Sequence, residues 1–191
     1  MAIMRKPDLS TPDTPGTTDT SGSPVAVRPW LRYGATAAAV AATAVVGARA
    51  VDPDSSWYKS LRTPAWQPPS AAFGLVWTPL YATVAYAGGR ALGGVRDRRE
   101  RRHVAASLAG NLALNASWNW LFFGLRSPRA GLAGTVLLDL SNLELLRRLA
   151  RTDRTAGRAL LPYAGWCLFA TALNASIARR NPSSHLTTIQ A

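Results

Sequence analysis

Residues 57–81 read WYKSLRTPAWQPPSAAFGLVWTPLY. The stretch holds Trp57, Trp66 and Trp77, a Pro-Pro pair, two Tyr and only two charges, Lys59 and Arg62. Rings with a polar edge suit the boundary between water and hydrocarbon. The stretch then runs into an apolar helix. It predicts a stiff lid at a membrane surface, feeding aromatic side chains into a helical bundle.

Working outward, the 191-residue chain carries 22 Lys and Arg against 10 Asp and Glu, a formal charge of +12. Its mean hydropathy is 0.00, a value that hides strong segregation. Charge-free runs occupy 34–48, 63–89, 104–125 and 159–178, and 130–146 is apolar except for Asp139 and Glu144. Most approach or exceed the roughly 20 residues that cross hydrocarbon as helix. The predicted class is all-α: an integral membrane bundle of five transmembrane helices at about 30–51, 71–94, 104–125, 130–149 and 159–180. Together they form one domain over 28–181. The second helix starts after Pro68-Pro69, because a residue before proline resists helical geometry. Pro79 is expected to kink it. Pro162 is expected in the first turn of the fifth helix, where its missing donor is tolerated.

Between Asp8 and Pro24 only Leu9 is not Asp, Ser, Thr, Pro or Gly. Residues 1–27 therefore read as a disordered tail with too little apolar surface to offset chain entropy, and 182–191 as a C-terminal tail. Arg5 and Lys6 precede no apolar core, so the extreme N-terminus does not read as a secretory signal. Ala48-Arg49-Ala50 resembles a cleavage site after the first run, but an uncut helix is the simpler reading.

The charge does not point to nucleic acid, because the Arg residues sit at the ends of apolar runs and not along a helix face among aromatics. Five spans place fifteen Lys and Arg on the N-terminal side and seven on the other. The positive-inside rule then puts the N-terminus in the cytoplasm, with the 57–69 loop and the C-terminus outside. Anionic lipid headgroups are the expected partners of the Arg clusters. The Ala/Arg-rich composition suggests a bacterial cell membrane.

Catalytic and metal signatures are missing. Cys167 is alone in an apolar run, and His103 and His185 have no ligand spacing. No G-x-S-x-G or phosphate-cradling glycine loop occurs. Polar and aromatic residues recur instead at helical spacing: Trp77 and Tyr81; Asn111, Asn115, Trp118 and Phe122; Tyr163, Trp166, Ala170 and Asn174. Asn in hydrocarbon is costly unless paired, so these stripes should face the interior. The plainer reading is interhelical glue. The sharper one is a pocket of Trp, Tyr and Asn for a large, planar, amphipathic ligand. Asp139 and Glu144 lie about 140° apart around their helix and form no paired site. Glu144 is expected to reach the interface with Arg147 and Arg148, and Asp139 to pair with a neighbouring helix. Ala85, Gly89 and Gly93 permit close helix approach within or between protomers.

Several motifs occur in a fixed order: W-Y-x-x-L-x-x-P-x-W-x-P-P at 57–69, F-x-x-V-W-x-x-L-Y at 73–81, N-x-x-W at 115–118, F-F-G at 122–124, P-Y-x-x-W-x-x-F-A at 162–170, L-N at 173–174 and R-x-N at 179–181. Over about 55–181 the chain resembles the TspO/MBR family of tryptophan-rich sensory proteins and translocator proteins, the peripheral-type benzodiazepine receptors. The resemblance implies a pocket beneath the first extramembrane loop that binds protoporphyrin IX, haem and isoquinoline or benzodiazepine-type drugs, commonly in a homodimer. On it, Trp57, Trp66, Pro69, Phe73, Trp77, Tyr81, Asn115, Trp118, Phe122, Tyr163, Trp166, Ala170 and Asn174 are candidate ligand-binding residues. No cofactor is required and no metal site is implied. The expected function is a membrane receptor or carrier for tetrapyrroles, acting in tetrapyrrole regulation or stress response. One alternative is light-dependent oxidative degradation of protoporphyrin IX, with Trp77 and Trp166 as the catalytic pair. Another is a ligand-independent assembly or signalling partner. Sterol recognition in animal members involves a Tyr at the position of Ala175, which argues against cholesterol.

Overall fold

The computed structural model describes residues 29–182. The predicted tail at 1–27, and the C-terminal tail beyond Pro182 with His185, lie outside the described residues. Six α-helices and one π-helical turn make up the rest: α1 (Pro29–Ala48), α2 (Ser56–Ser60), α3 (Ser70–Gly94), α4 (Arg98–Asn119) running into the π turn (Trp120–Gly124), α5 (Pro128–Thr152) and α6 (Arg154–Arg180). The five long helices form a ring in the order α1, α3, α6, α5, α4, each packed on two neighbours.

Each helix buries a stripe set by helical spacing. On α1 it is Thr36, Val40, Thr43 and Gly47; on α5 it is Gly131, Gly134, Thr135, Leu138, Asn142, Leu145 and Leu149. Outward-facing positions are apolar rather than charged, among them Leu75, Leu125, Leu137, Leu140, Leu161 and Leu168. A surface of exposed leucines around a polar, aromatic interior suits lipid, not water. On length and composition alone α1 and α6 qualify as membrane spans. The 25-residue α3 and α5 and the 22-residue α4 are long enough. Their hydropathy is lowered by aromatics, glycines and arginine-rich ends.

Two boundaries differ from the sequence expectation, for one reason. The runs at 98–102 and 150–158 fall outside the helices expected from sequence, yet all but Asp153 are helical. Arg favours helix, and its long side chain can carry its charge from a helix end to the interface. Asp97 caps α4, its Oδ2 accepting from Glu100 N at 2.7 Å. Between α5 and α6 the connection shrinks to Asp153 alone. Its own N–H closes α5 on Leu149 O at 2.7 Å, and its Oδ1 accepts from Thr155 N and Ala156 N to start α6. Pro162 consequently lies two turns inside α6, not in its first turn as expected. Helix α3 is continuous through Pro79.

Small residues set the close approaches. A Cβ on Gly89 would run into the Tyr33 ring, and one on Gly93 would meet the Arg32 guanidinium. The Thr36 hydroxyl donates to Ala85 O at 2.8 Å. The Ala85/Gly89/Gly93 stripe therefore packs against α1 within the protomer.

Candidate functional site

At the end of the bundle bearing the 57–69 loop, α1 and α3 are separated by a cavity of about 500 Å³. Ala44 and Ala48 bound it from α1, Phe73, Gly74, Trp77 and Tyr81 from α3, Asn115, Trp118 and Asn119 from α4, Phe122 and Phe123 from the π turn, and Leu173, Asn174 and Ile177 from α6. Tyr58 and Gln67 close it from the loop. A second space of about 30 Å³, lined by Phe73, Trp77, Asn115, Trp118, Thr135, Leu138, Trp166, Cys167 and Ala170, lies beside it. That volume suits water alone. No lining residue of either cavity carries a formal charge.

The walls are built by local features of the chain. The π turn is closed by Leu125 N to Trp120 O at 2.9 Å and Ser127 N to Phe122 O at 3.1 Å, each five residues apart. The extra residue per turn changes the helical register, and Phe122 and Phe123 both meet the cavity. Beyond it, Arg126 takes a left-handed φ of 49°, uncommon for a residue with a Cβ, to redirect the chain into α5. Trp118 stacks on Phe122 at 5.7 Å and 24°. Trp77 lies 5.1 Å from Tyr81 and edge-on to Tyr163 at 6.2 Å.

The lid is tied down at both ends. Ser55 caps α2, Trp57 and Tyr58 pack edge-on to Phe122, and Trp66 meets Phe169 at 5.7 Å. Gln67 Nε2 donates to the Tyr58 hydroxyl at 3.3 Å.

Polar groups behind the wall are paired, while several in it are not. Asn115 accepts from the Tyr81 hydroxyl at 3.0 Å and donates to the Tyr163 hydroxyl at 3.2 Å. Gln67 Oε1, Trp118 Nε1 and Asn174 Oδ1 are buried without partners among the described residues, and all three residues line the main cavity. Buried polar atoms normally find partners; these three belong to lining residues but are themselves shielded from the open space.

Of the candidates read from sequence, Phe73, Trp77, Tyr81, Asn115, Trp118, Phe122 and Asn174 line the main cavity, and Trp166 and Ala170 the small one. Trp77 and Trp166 share the small cavity with different ring neighbours: Tyr81 and Tyr163 for Trp77, Phe73 and Phe169 for Trp166. Four candidates line neither space. Tyr163 is fully buried behind Asn115, Trp57 packs on the π turn, Trp66 is 49% exposed on the lid, and Pro69 is exposed ahead of α3. Sequence reasoning missed Ala44, Ala48, Tyr58, Gln67, Asn119 and Phe123. Tyr58 had a signal in its place beside Trp57.

Five membrane-length helices in a ring, an aromatic cavity inside one end and a proline-braced loop over it define a membrane helix bundle with an internal cavity. Comparison with known proteins gives the family: the TspO/MBR family model matches residues 35–180, and the chain belongs to that family. It is 36% identical over 130 residues to the tryptophan-rich protein TspO of Chlorobaculum tepidum, covering 68% of this chain and 82% of that one. It is 33% identical over 127 residues to protein CrtK of Rhodobacter capsulatus (66% and 79%). Over 141 residues it is 33% identical to the human translocator protein (71% and 82%). The chain is thus an all-α integral membrane bundle of five transmembrane helices.

Proposed function

We propose that the protein is a membrane receptor or carrier for tetrapyrroles, with the cavity beneath the 57–69 loop as its site. The observation that carries this reading is a cavity of about 500 Å³, free of charge and walled by Trp77, Tyr81, Trp118, Phe122 and Phe123. Flat aromatic faces with a few convergent polar atoms suit a large planar macrocycle. Gln67, Asn115, Asn119 and Asn174 supply polar side chains to that lining. With no cation in the lining, a ligand's carboxyl groups would sit there neutral or at the mouth. The N-terminus is assigned to the cytoplasm and the lid to the other side, following the arginine bias, in a bacterial membrane.

Quenching of tryptophan fluorescence by protoporphyrin IX in detergent tests the reading. Saturable quenching is expected, weakened in a Trp77→Phe/Trp166→Phe double variant. Unchanged affinity in that variant would rule out the site.

A second reading, photo-oxidative degradation of the same ligand, is favoured by one observation: Trp77 borders both cavities, and Trp166 shares the lining of the smaller one with it. The bound porphyrin would be the photosensitiser, and the protein would position two oxidisable indoles beside it. Illumination with porphyrin and oxygen decides it. Discrete products that vanish in Trp166→Phe support it, and bleaching equal to that of free porphyrin in detergent removes it.

A further inference from the structure

A chain of hydrogen bonds leads away from the cavity into α5. The Tyr81 hydroxyl donates to Asn115 Oδ1 at 3.0 Å, and Asn115 Nδ2 donates to the Tyr163 hydroxyl at 3.2 Å. The Tyr163 hydroxyl donates to Asn111 Oδ1 at 3.0 Å, and Asn111 Nδ2 donates to Asn142 Oδ1 at 2.7 Å. Every donor points the same way. The amides force this, because an amide oxygen can only accept and an amide nitrogen can only donate.

The chain stops at Asn142 Nδ2, a buried donor with no partner among the described residues. Three residues earlier on the same helix, Asp139 Oδ1 is a buried acceptor with no partner. The other carboxylate oxygen, Oδ2, takes the Thr171 hydroxyl at 2.6 Å. An orphan donor and an orphan acceptor thus stand about one turn apart near the middle of a membrane helix, where unmatched polar groups are most costly. One water, or a small side-chain rotation, joins them.

We propose that Asp139 is the terminal acceptor of this chain and a positioning residue for the cavity. By fixing the chain's direction it keeps the Tyr81 oxygen an acceptor toward the cavity, so the site selects a ligand atom that carries a hydrogen, such as the O–H of a neutral carboxylic acid. An ionised carboxylate such as Asp139 can only accept, and hydrogen bonds in series polarise one another toward it. The selectivity rests on the tetrapyrrole reading, whereas the chain itself does not.

The test is a double-mutant cycle between Asp139 and Tyr81, two residues joined through the intervening amides and Tyr163. Two probes share one macrocycle: protoporphyrin IX, which has acid O–H groups, and its dimethyl ester, which has none. One neutral hydrogen bond is worth about 1 kcal/mol, so the wild type should favour the acid about fivefold. That preference should fall toward one in Asp139→Leu and in Tyr81→Phe, with no further fall in the double variant. Asp139→Asn, nearly isosteric, serves if the Leu variant does not fold. Its amide can face either way, and the preference should fall there too. An acid preference untouched at Asp139, or effects of the two sites that simply multiply, would overturn the proposal. If the wild type binds neither probe, the tetrapyrrole reading fails by itself. The same cycle read in the melting temperature of the ligand-free protein then decides the chain: shifts of the two sites that fail to add support it, and additive shifts overturn it.

Discussion

The Asn181 side chain bonds the backbone of Arg62 twice: Arg62 N donates to Asn181 Oδ1 at 3.0 Å, and Asn181 Nδ2 donates to Arg62 O at 3.0 Å. The same Nδ2 also reaches Ile177 O at 2.8 Å, so one amide fastens the lid to the last turn of α6. Asn181→Asp removes the donor and sets a carboxylate against two carbonyls. Each lost bond is worth about 1 kcal/mol. The expected result is faster hydrogen exchange over residues 57–67, with the helices unaffected. Unchanged exchange in the lid would show that aromatic packing alone holds it.

Gly157 and Gly165 both lie in α6, but substitutions there should act in opposite directions. A Cβ on Gly157 would stand 2.8 Å from Ala150 Cβ and 2.9 Å from its Cα, while nothing lies within 4 Å of one on Gly165. Backbone cannot step aside as a side-chain end can. Gly157→Ala should therefore pry α5 from α6 and destabilise by about 1–3 kcal/mol. Gly165→Ala should stabilise by up to about 1 kcal/mol through helix propensity. Melting temperatures in detergent compare them directly, and equal shifts would contradict the hairpin packing.

Much of this fold was legible because the membrane makes certain residues expensive. Asn115 and Asn174 in apolar runs had to face inward, and Trp77 and Tyr81 one turn apart had to share a wall. The α1 side of the cavity left no such mark, since Ala44 and Ala48 look like every other alanine of that helix. Phe123 fell off the expected stripe because the π turn changes the helical register, and nothing in WLFFG announces a five-residue bond; Asn119, one turn after Asn115, carried the helical spacing and was passed over. The α5–α6 junction was misjudged because arginine was read as loop. Asp153, which closes one helix and opens the next, was the signal available there.

That residue also sets a pH dependence. Burial pushes the Asp153 carboxyl up, but the Ala156 and Thr155 N–H groups and the Arg90 guanidinium outweigh it and hold it below the usual carboxylate range. Arg90 Nε stands 2.9 Å from Asp153 Oδ2, pinning the end of α3 to the junction. A folded value below the unfolded one of about 3.9 gives stability that is present above that pH and lost as pH falls through the folded value. Asp153→Asn keeps a capping oxygen but loses the charge. It should melt lower than wild type near pH 7, and the gap should narrow as pH falls below about 4. A gap that persists at the acid end would assign the effect to capping geometry and not to the ion pair.

Gly74 separates the cavity from the fold. It lines the main cavity from α3, and a Cβ built on it meets no atom within 4 Å. A leucine there projects into open cavity and replaces a poor helix former with a good one, so Gly74→Leu should melt no lower than wild type. Any macrocycle lying along Trp77 and Tyr81 would have to overlap the new side chain. Overpacking of that kind is worth about 1–3 kcal/mol. Protoporphyrin IX affinity should thus fall about tenfold or more in the quenching titration. A stable Gly74→Leu protein that binds porphyrin as tightly as wild type would place the ligand outside this cavity, whatever the aromatic walls suggest.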